Sequence, residues 1–530
     1  MTQLANPLSR RDLLRRGGLL GLATLGGPAV LAACGGGSSP TATSSGAAAA
    51  APRAGGDLRA ALTGEPDTLD PATSSVYTGA QVYDGVFSKL IDIDAKGELV
   101  GDLATSWKAT DERTWTFDLV DNATFHNGEK FTAADVKYTF ERILDPKTAS
   151  AYAGLYTPIE SVEVVSPTQV VFHLKTPFGP FLTNLANNGE IVNEKAVTSG
   201  DPARKPVGTG PFAFVEWVQG DHITLKKHAG YHHSGQPYLD SVTFRFVLVD
   251  QGRIDSLSAG ELDWVDAIPL QQVDTLSKDP RFTYVSSPVA GIPDFLAMNT
   301  KKAPFDKLEV RQAVAIALDR KAIRDVAYLG SGEVGVEEVP SGSPWYDGND
   351  PYASGPDVAK AKALLASAGF AGGLKVEYLG LPQYPELLKT GQVVRDQLKA
   401  IGIDMSIKQV DVSVWFDAFS KGEYQITSAY QERTLDPDNF YSLVIRSGGP
   451  INTTGYANPK VDALIDQAAA MADEAARKKL YAQIRTIVRD EAPIAFVHYE
   501  TLNYLMTKKV TGSQVTPTLE LNMGRVGFTA

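Results

Sequence analysis

The chain has 530 residues, a single cysteine and a formal net charge of −12 at pH 7. The length allows more than one domain with its own core, and a lone thiol excludes a disulfide within the chain. The acidic balance argues against nucleic acid as a partner and against a basic membrane-binding surface.

Residues 1–33 are typical of a bacterial export signal that ends at the cysteine. Arg10 and Arg11 precede an uncharged stretch, residues 17–33, and resemble a twin-arginine signal. Leu31–Cys34 reads LAAC and resembles a lipobox, so we expect acylation of Cys34. Residues 34–56 are rich in Gly, Ser and Ala and are interpreted as a flexible tether.

Residues from Asp57 onward predict a folded α/β body. Residues 114–120 and 170–174 alternate apolar and polar side chains and predict half-buried strands. Thr132 and Asp135 form a capping-box pattern that predicts the start of a helix between them. We expect its apolar face to point into a core.

The second half of the chain is richer in helical patterns. We predict helices over 306–327 and 386–401, at least one long helix within 459–489, and a further helix between Asp357 and Gly369. Residues 403–410 predict a strand. The mixture favours an α/β protein with mixed sheets over a regular alternation of strand and helix.

Motifs for chemistry are weak throughout. Residues 208–213 match the spacing G-x-G-x-x-A, but Pro211 and the strand pattern after it predict a turn between strands. His222, His228, His232 and His233 cluster without carboxylates at helical spacing, so we expect no metal site.

Acidic pairs give no stronger signal. The pairs Glu337/Glu338 and Asp263/Asp266 lack a partner that would fix their geometry, and they are interpreted as solvated charges. No hydrolase or phosphate-loop motif is present in the sequence. We therefore expect no catalytic residue and no cofactor.

Five stretches in order resemble family 5 of the extracellular solute-binding proteins, the peptide-type receptors of ABC importers. These stretches are 103–144 (LATSW…TFERIL), 206–231 (PVGTGPF…HAGY), 295–320 (FLAMNT…ALDR), 436–440 (DPDNF) and 456–468 (YANPKVDALIDQA). Together they span nearly all of the chain after residue 57.

The resemblance implies a two-lobed periplasmic-binding-protein-like fold of the class II type. By analogy the first lobe covers 57–290, with an extra subdomain at 97–205, and is completed by 500–530. The second lobe covers 291–499. The resemblance also implies a monomer outside the cytoplasm, a small solute, peptide in the first place, and ABC permease subunits as partners. The membrane would be reached only through the lipid anchor.

The ligand-contact segments of dipeptide-type members depart from their pattern here. Tyr430 stands in place of a tryptophan, Arg433 in place of the aspartate that meets the peptide ammonium, and Leu381 in place of the arginine that meets the carboxylate. A non-peptide solute, such as an oligosaccharide or an anionic compound, therefore stays open, as does, more remotely, a secreted lipid-anchored hydrolase. The predicted ligand contacts are Tyr77, Thr78, Trp345, Tyr384, Tyr430, Glu432, Arg433, Asp436, Asp438 and Asn439.

Overall fold

The computed structural model describes residues 52–74, 76–286, 292–431, 434–516 and 521–530. Within these residues, two lobes are each built on a mixed sheet, and a smaller antiparallel sheet forms a subdomain. Cys34, Glu432 and Arg433 lie outside the described residues.

The first lobe is built on a seven-stranded sheet of described residues. The strand Asp57–Leu62 lies in its middle and pairs in parallel with both neighbours, while the other pairings are antiparallel. Apolar side chains cover both faces of the sheet. From edge to edge the strands are Phe282–Ser286, Asn503–Thr507, Trp264–Asp266, Asp57–Leu62, Ser241–Phe246, His222–Lys227 and Phe212–Val218. The helices packed on it are Tyr77–Tyr83, Asp250–Ala259 and Leu270–Leu276.

The subdomain has a four-stranded antiparallel sheet. Its strands, in spatial order, are Ala104–Asp111, Thr114–Leu119, Gln169–Leu174 and Ile159–Ser166. The helix Ala133–Leu144 begins at the capping box of Thr132 and Asp135, as predicted, and buries Val136 and Phe140 against this sheet. Shorter elements nearby are the paired strands Ile91–Ile93 and Leu99–Gly101, the 3-10 helix Pro146–Thr148, and the helices Ala153–Tyr156, Phe181–Asn188 and Glu194–Ser199.

The second lobe is built on a six-stranded sheet of described residues. Its strands, from edge to edge, are Glu333–Val334, Ile494–Tyr499, Pro293–Met298, Ile426–Tyr430, Leu374–Gly380 and Ile403–Gln409. Apolar side chains again cover both faces. Its helices are Leu308–Ala317, Arg320–Ala327, Val358–Ser367, Pro385–Lys399, Val412–Ser420, Pro437–Phe440, the π-helix Tyr441–Ile445, Pro459–Ala469 and Glu474–Glu491.

One predicted helix is divided in two. The predicted helix 306–327 is interrupted because Leu318 is extended and Asp319 caps a new helix by accepting the N–H of Ala322, a cap that the prediction missed. Residues 459–489, where at least one long helix was expected, hold two helices, and Asp473 caps the second by accepting the N–H of Ala476.

The lobes are joined by two crossings between the sheets. One crossing leads from the strand ending at Ser286 to the strand starting at Pro293, and the other from Tyr499 to Asn503. After the second crossing the chain ends in the short strands Val510–Thr511 and Gly527–Phe528, which pair with each other, and the 3-10 helix Met523–Arg525. Among the described residues, no helix combines the length and the apolar composition that a membrane span requires. The predicted lobe boundaries stay a prediction.

Candidate functional site

Three of the predicted aromatic residues lie together where the lobes meet. Tyr77 from the first lobe, Tyr430 from the second and Leu502 on one crossing all pack against Ile292 on the other crossing. The ring of Tyr384 lies 6.0 Å, centroid to centroid, from the ring of Tyr430. We call these five residues the junction cluster.

The first lobe buries polar atoms beside this cluster. Thr78 is 6% exposed, and its Oγ1 has no hydrogen-bond partner among the described residues. Gln81 donates from Nε2 to Oδ2 of Asp266 at 3.0 Å, while its Oε1 and Oδ1 of Asp266 have no hydrogen-bond partner in the described part of the chain. Buried polar atoms are nearly always paired, so this set is suited to accept hydrogen bonds from a bound solute.

Asp266 is linked to the junction cluster through the sheet. It lies opposite Tyr504 in the strand register, and the side chain of Tyr504 interacts with that of Tyr77. Burial raises the pKa of Asp266 from its ordinary 3.8 to about 6, and the hydrogen bond from Gln81 offsets only part of this effect. This carboxyl group is therefore poorly stabilised in its ionised form.

The predicted residue Asp436 has a structural arrangement. Its carboxylate accepts two hydrogen bonds from the guanidinium of Arg477 and also caps the helix Pro437–Phe440 by accepting the N–H of Asp438. All of its strong interactions are thus within the second lobe.

The next two predicted residues face different partners. Asp438 accepts a hydrogen bond from Ser442 at 2.8 Å, and burial raises its pKa to about 6. Asn439 donates from Nδ2 to Oδ1 of Asn184 in the subdomain at 3.1 Å. Asn439 therefore joins the second lobe to the subdomain.

Trp345 packs in the core of the second lobe. Its ring lies beneath the guanidinium of Arg477, at 4.8 Å, and against Tyr481, and its carbonyl accepts a hydrogen bond from Arg485. A role for Trp345 in binding solute stays a prediction, and its packing is that of a core residue.

The acidic pairs are not solvated, contrary to the sequence interpretation. Glu337 and Glu338 are buried, and Glu338 accepts hydrogen bonds from Arg485 and from the hydroxyl of Tyr441. Asp263 and Asp266 are buried as well. The partner Arg485 lies almost 150 residues further along the chain, which is why local sequence could not reveal the pairing.

Several other sequence expectations have clear outcomes. The Gly208–Ala213 stretch is a turn that leads into the strand Phe212–Val218, and a Cβ at Gly210 would lie 2.5 Å from the backbone of Val86. Leu381 lies in the second-lobe core.

The sequence did not indicate Gln81 as a candidate site residue, and Asp266 was interpreted as a solvated charge. The one sequence feature that could have revealed Asp266 is its position at the end of a short apolar strand.

The comparisons with known proteins agree with this architecture. The family described as Bacterial extracellular solute-binding proteins, family 5 Middle, matches residues 98–451. The chain is 28% identical to the glutathione-binding protein GsiB of Pectobacterium atrosepticum over 482 residues, which cover 85% of this chain and 90% of that protein.

Two solved structures are similar over nearly their whole length. The binding protein AgaA of A. tumefaciens, in complex with agropinic acid, has a TM-score of 0.77 and 30% identity, covering 89% of this chain and 99% of that one. The oligopeptide-binding protein AppA of Bacillus subtilis, in complex with a nonapeptide, has a TM-score of 0.78 and 25% identity, with coverage of 90% and 100%. These similarities confirm the predicted two-lobed fold of the class II periplasmic-binding-protein type.

Proposed function

Because the chain belongs to family 5 of the bacterial extracellular solute-binding proteins, we propose that it captures a peptide or peptide-like solute between its lobes. Proteins of this family are solute-binding receptors that deliver their cargo to the permease of an ABC importer. Closure of two lobes on a hinge buries such a solute at the lobe interface.

The observation that carries the peptide proposal is the buried set of acceptors beside the junction cluster. Oδ1 of Asp266 and Oε1 of Gln81 are hydrogen-bond acceptors without a described partner. A solute that brings N–H donors, such as an amine or an amide, would satisfy them, whereas an anionic solute would meet a like charge at Asp266. The tyrosines of the cluster would supply apolar contact area.

The relatives alone do not choose the solute. The names of GsiB, AgaA and AppA refer to glutathione, agropinic acid and a nonapeptide, three chemically different ligands. Arg433 keeps an anionic or hydroxyl-rich solute as the second candidate, because it occupies the sequence position at which dipeptide-type relatives carry an aspartate. The two candidates differ in the sign of charge they require.

The proposal also includes a lipid anchor and a solute that is not chemically altered. Acylation of Cys34 would hold the receptor at the outer face of the cell membrane, with residues 34–56 as a tether. The protein would act as a monomer and release its solute unchanged. Among the described residues, the buried Glu338 is engaged in an ion pair with Arg485.

The experiment is identification of the solute followed by titration. Native mass spectrometry of protein purified without denaturation would reveal a retained solute, and calorimetry would test dipeptides, longer peptides, glutathione, agropinic acid and oligosaccharides. Liquid chromatography of the recovered solute would detect turnover. Tight binding only of anionic or sugar ligands would contradict the peptide proposal, and a chemically altered solute would contradict the receptor function.

A matched pair of variants ties binding to the junction cluster. Tyr430→Ala should weaken solute binding at least about tenfold, because a half-buried aromatic contact is lost. Tyr346→Ala removes a half-buried tyrosine of the same lobe outside the cluster and should leave affinity unchanged. Equal affinities of the two variants would place the solute elsewhere.

A further inference from the structure

Two adjacent histidines and an aspartate meet at the boundary between the first lobe and the subdomain. His232 and His233 lie on the loop between the strands His222–Lys227 and Ser241–Phe246, and Asp102 lies just before the subdomain strand Ala104–Asp111. Nε2 of His232 and Nε2 of His233 lie 2.8 and 3.0 Å from the same atom, Oδ1 of Asp102.

We propose that Asp102, His232 and His233 bind a divalent transition-metal ion, with Zn²⁺ as the preferred ion. The three potential ligand atoms lie within 4.8 Å of one another. Two imidazole nitrogens and one carboxylate oxygen form a typical three-residue zinc ligand set that leaves a position for water. Bonds of about 2.0–2.1 Å in tetrahedral geometry separate ligand atoms by about 3.3 Å. The two distances from Asp102 to the histidines therefore need to lengthen by only a few tenths of an ångström.

The surrounding structure already fixes the orientation of these ligands. The second carboxylate oxygen of Asp102, Oδ2, accepts the backbone N–H of Lys89 at 2.9 Å. The ring of Tyr231 packs edge-on against both imidazoles, with centroid distances of 4.8 Å to His232 and 5.2 Å to His233. Partners that hold ligand side chains in this way raise metal affinity because less freedom is lost on binding.

The site combines a closed side with an open side. The side chain of His232 is 1% exposed, whereas that of His233 is 41% exposed and gives an ion a route of entry. A cavity of about 70 Å³, lined in part by Asp102 and His233, adjoins the cluster. This volume is enough for water molecules that would complete the coordination of the metal.

The charges around the cavity favour a cation. Asp84, Asp92, Asp102 and Glu190 line it, against two basic residues, Lys89 and Arg525. Acidic side chains thus outnumber basic ones around the cavity, which favours the binding of a cation.

A bound ion would link the subdomain to the first lobe. Asp102 is separated from His232 by 130 residues, so the ion would tie the subdomain to the first lobe. The cavity beside the cluster contains none of the predicted solute contacts. We therefore assign the ion a role that is independent of the captured solute.

The experiment is metal titration of the full chain, purified without a polyhistidine tag and stripped with EDTA. We expect calorimetry with ZnCl₂ to give one saturable site, and Co²⁺ to give the visible d–d absorption of a four- or five-coordinate nitrogen–oxygen site. Zn²⁺ should also raise the thermal unfolding temperature, since it binds the native state. No saturable binding of either ion would overturn the proposal.

Variants locate the ion. His233→Ala and Asp102→Asn should each weaken Zn²⁺ binding by about a hundredfold or more, because each removes a ligand. His173→Ala is the control, since His173 is a similarly exposed subdomain histidine that contacts Glu163. Binding equal to wild type in both cluster variants would place the ion elsewhere and contradict the proposal. Circular dichroism would verify that the variants are folded.

Discussion

Arg477 and Asp436 form a bidentate ion pair inside the second lobe. Nη1 of Arg477 lies 2.8 Å from Oδ2 of Asp436, and Nη2 lies 2.7 Å from Oδ1. The side chains are only 4% and 1% exposed. Nε of Arg477 also donates to the carbonyl of Ala468, so Arg477 ties the helix Glu474–Glu491 to the helix Pro459–Ala469 and, through Asp436, to the start of the helix Pro437–Phe440.

Breaking this pair should be costly to the fold. Asp436→Asn leaves the guanidinium of Arg477 buried without a counter-charge, which we expect to lower the free energy of unfolding by about 3–5 kcal/mol. Urea unfolding of the second lobe would measure the loss. Asp466→Asn is the matched control, because it breaks the largely exposed pair with Arg446 and should cost less than about 1 kcal/mol. Equal losses of unfolding free energy in the two variants would contradict the claim that burial makes the Arg477–Asp436 pair costly to break.

The contact between subdomain and second lobe depends on a glycine. The N–H of Gly179 donates to the carbonyl of Ala469 at 2.7 Å. A Cβ at this position would lie 2.2 Å from the carbonyl oxygen of Met471, which is backbone and cannot move aside cheaply. Gly179→Ala should therefore push the second lobe away from the subdomain.

Small-angle scattering would detect this opening. With saturating solute we expect wild type to have a smaller radius of gyration than without it, and Gly179→Ala to keep a larger radius and bind the solute more weakly. Gly154→Ala in the same subdomain places its Cβ in open space and should behave as wild type. An unchanged radius in wild type at saturation would argue against hinge closure.

Local sequence patterns determined much of the fold but not the site. The capping box at Thr132 and the alternation in 114–120 rest on neighbouring residues, and both elements are present. The predicted tyrosines Tyr77, Tyr384 and Tyr430 do meet at the junction. Their meeting could be expected only from the resemblance, since more than 300 residues separate Tyr77 from the other two.

Pairings between distant residues could not be predicted. Nothing near Asp436 in the sequence indicates Arg477, and nothing near His232 indicates Asp102, because the partners are brought together by sheet topology. For the same reason the sequence does not reveal the burial of Asp266, which follows from the interior position of its three-residue strand in the sheet.

Asp266 and Asp263 should affect stability with opposite signs. Asp266 has a raised pKa of about 6, so between pH 3.8 and 6 the folded state holds a proton that the unfolded state has lost. Its contribution to stability therefore falls as the pH rises through this window, and above it the folded state bears the full cost of the buried charge. Asp266→Asn should raise the free energy of unfolding at pH 7 by about 2–3 kcal/mol and change little near pH 3.5.

Asp263, three residues before Asp266, has its pKa shifted in the opposite direction. Burial acts to raise its pKa, but Arg59 and Lys509 outweigh burial and lower it. Its stabilising contribution is present above the ordinary pKa and is lost as the pH falls. Asp263→Asn should therefore lower stability at pH 7 by about 1–3 kcal/mol. Chemical unfolding across pH 3–8 measures both variants, and the same sign for both at pH 7 would contradict the assignment.

Asp266→Asn should combine a higher stability with weaker binding of the solute. If its free oxygen serves an N–H donor of the solute, Asp266→Asn should bind peptides more weakly while being more stable, the usual exchange at a binding site. Calorimetry with the solute found by native mass spectrometry would test this. Unchanged affinity would remove Asp266 from the solute site.

Cys34 should determine where the protein resides. Cys34→Ser removes the sulfur that the lipobox pattern marks for acylation, so the protein should move from the membrane fraction to the soluble fraction. Detergent phase partitioning measures the change. A variant that partitions like wild type would contradict the lipid anchor.

Arg433 should decide which charged solutes are accepted. The residue lies outside the described part of the chain, and the prediction rests on its position where dipeptide-type relatives carry an aspartate. A guanidinium there repels a free peptide ammonium and favours a carboxylate or a hydroxyl-rich group. We expect free dipeptides to bind the wild type poorly, and Arg433→Asp to shift preference toward ligands with a free amine.

Calorimetric titration with dipeptides, their N-acetylated forms and oligosaccharides measures this preference. Arg446→Ala is the control, because it removes an arginine of the same lobe that pairs with Asp466. Acetylation removes the ammonium charge, so acetylated peptides should gain affinity for the wild type and lose that advantage with Arg433→Asp. Tight binding of free dipeptides by the wild type, unaffected by Arg433→Ala, would return Arg433 to a structural ion pair with its acidic neighbours.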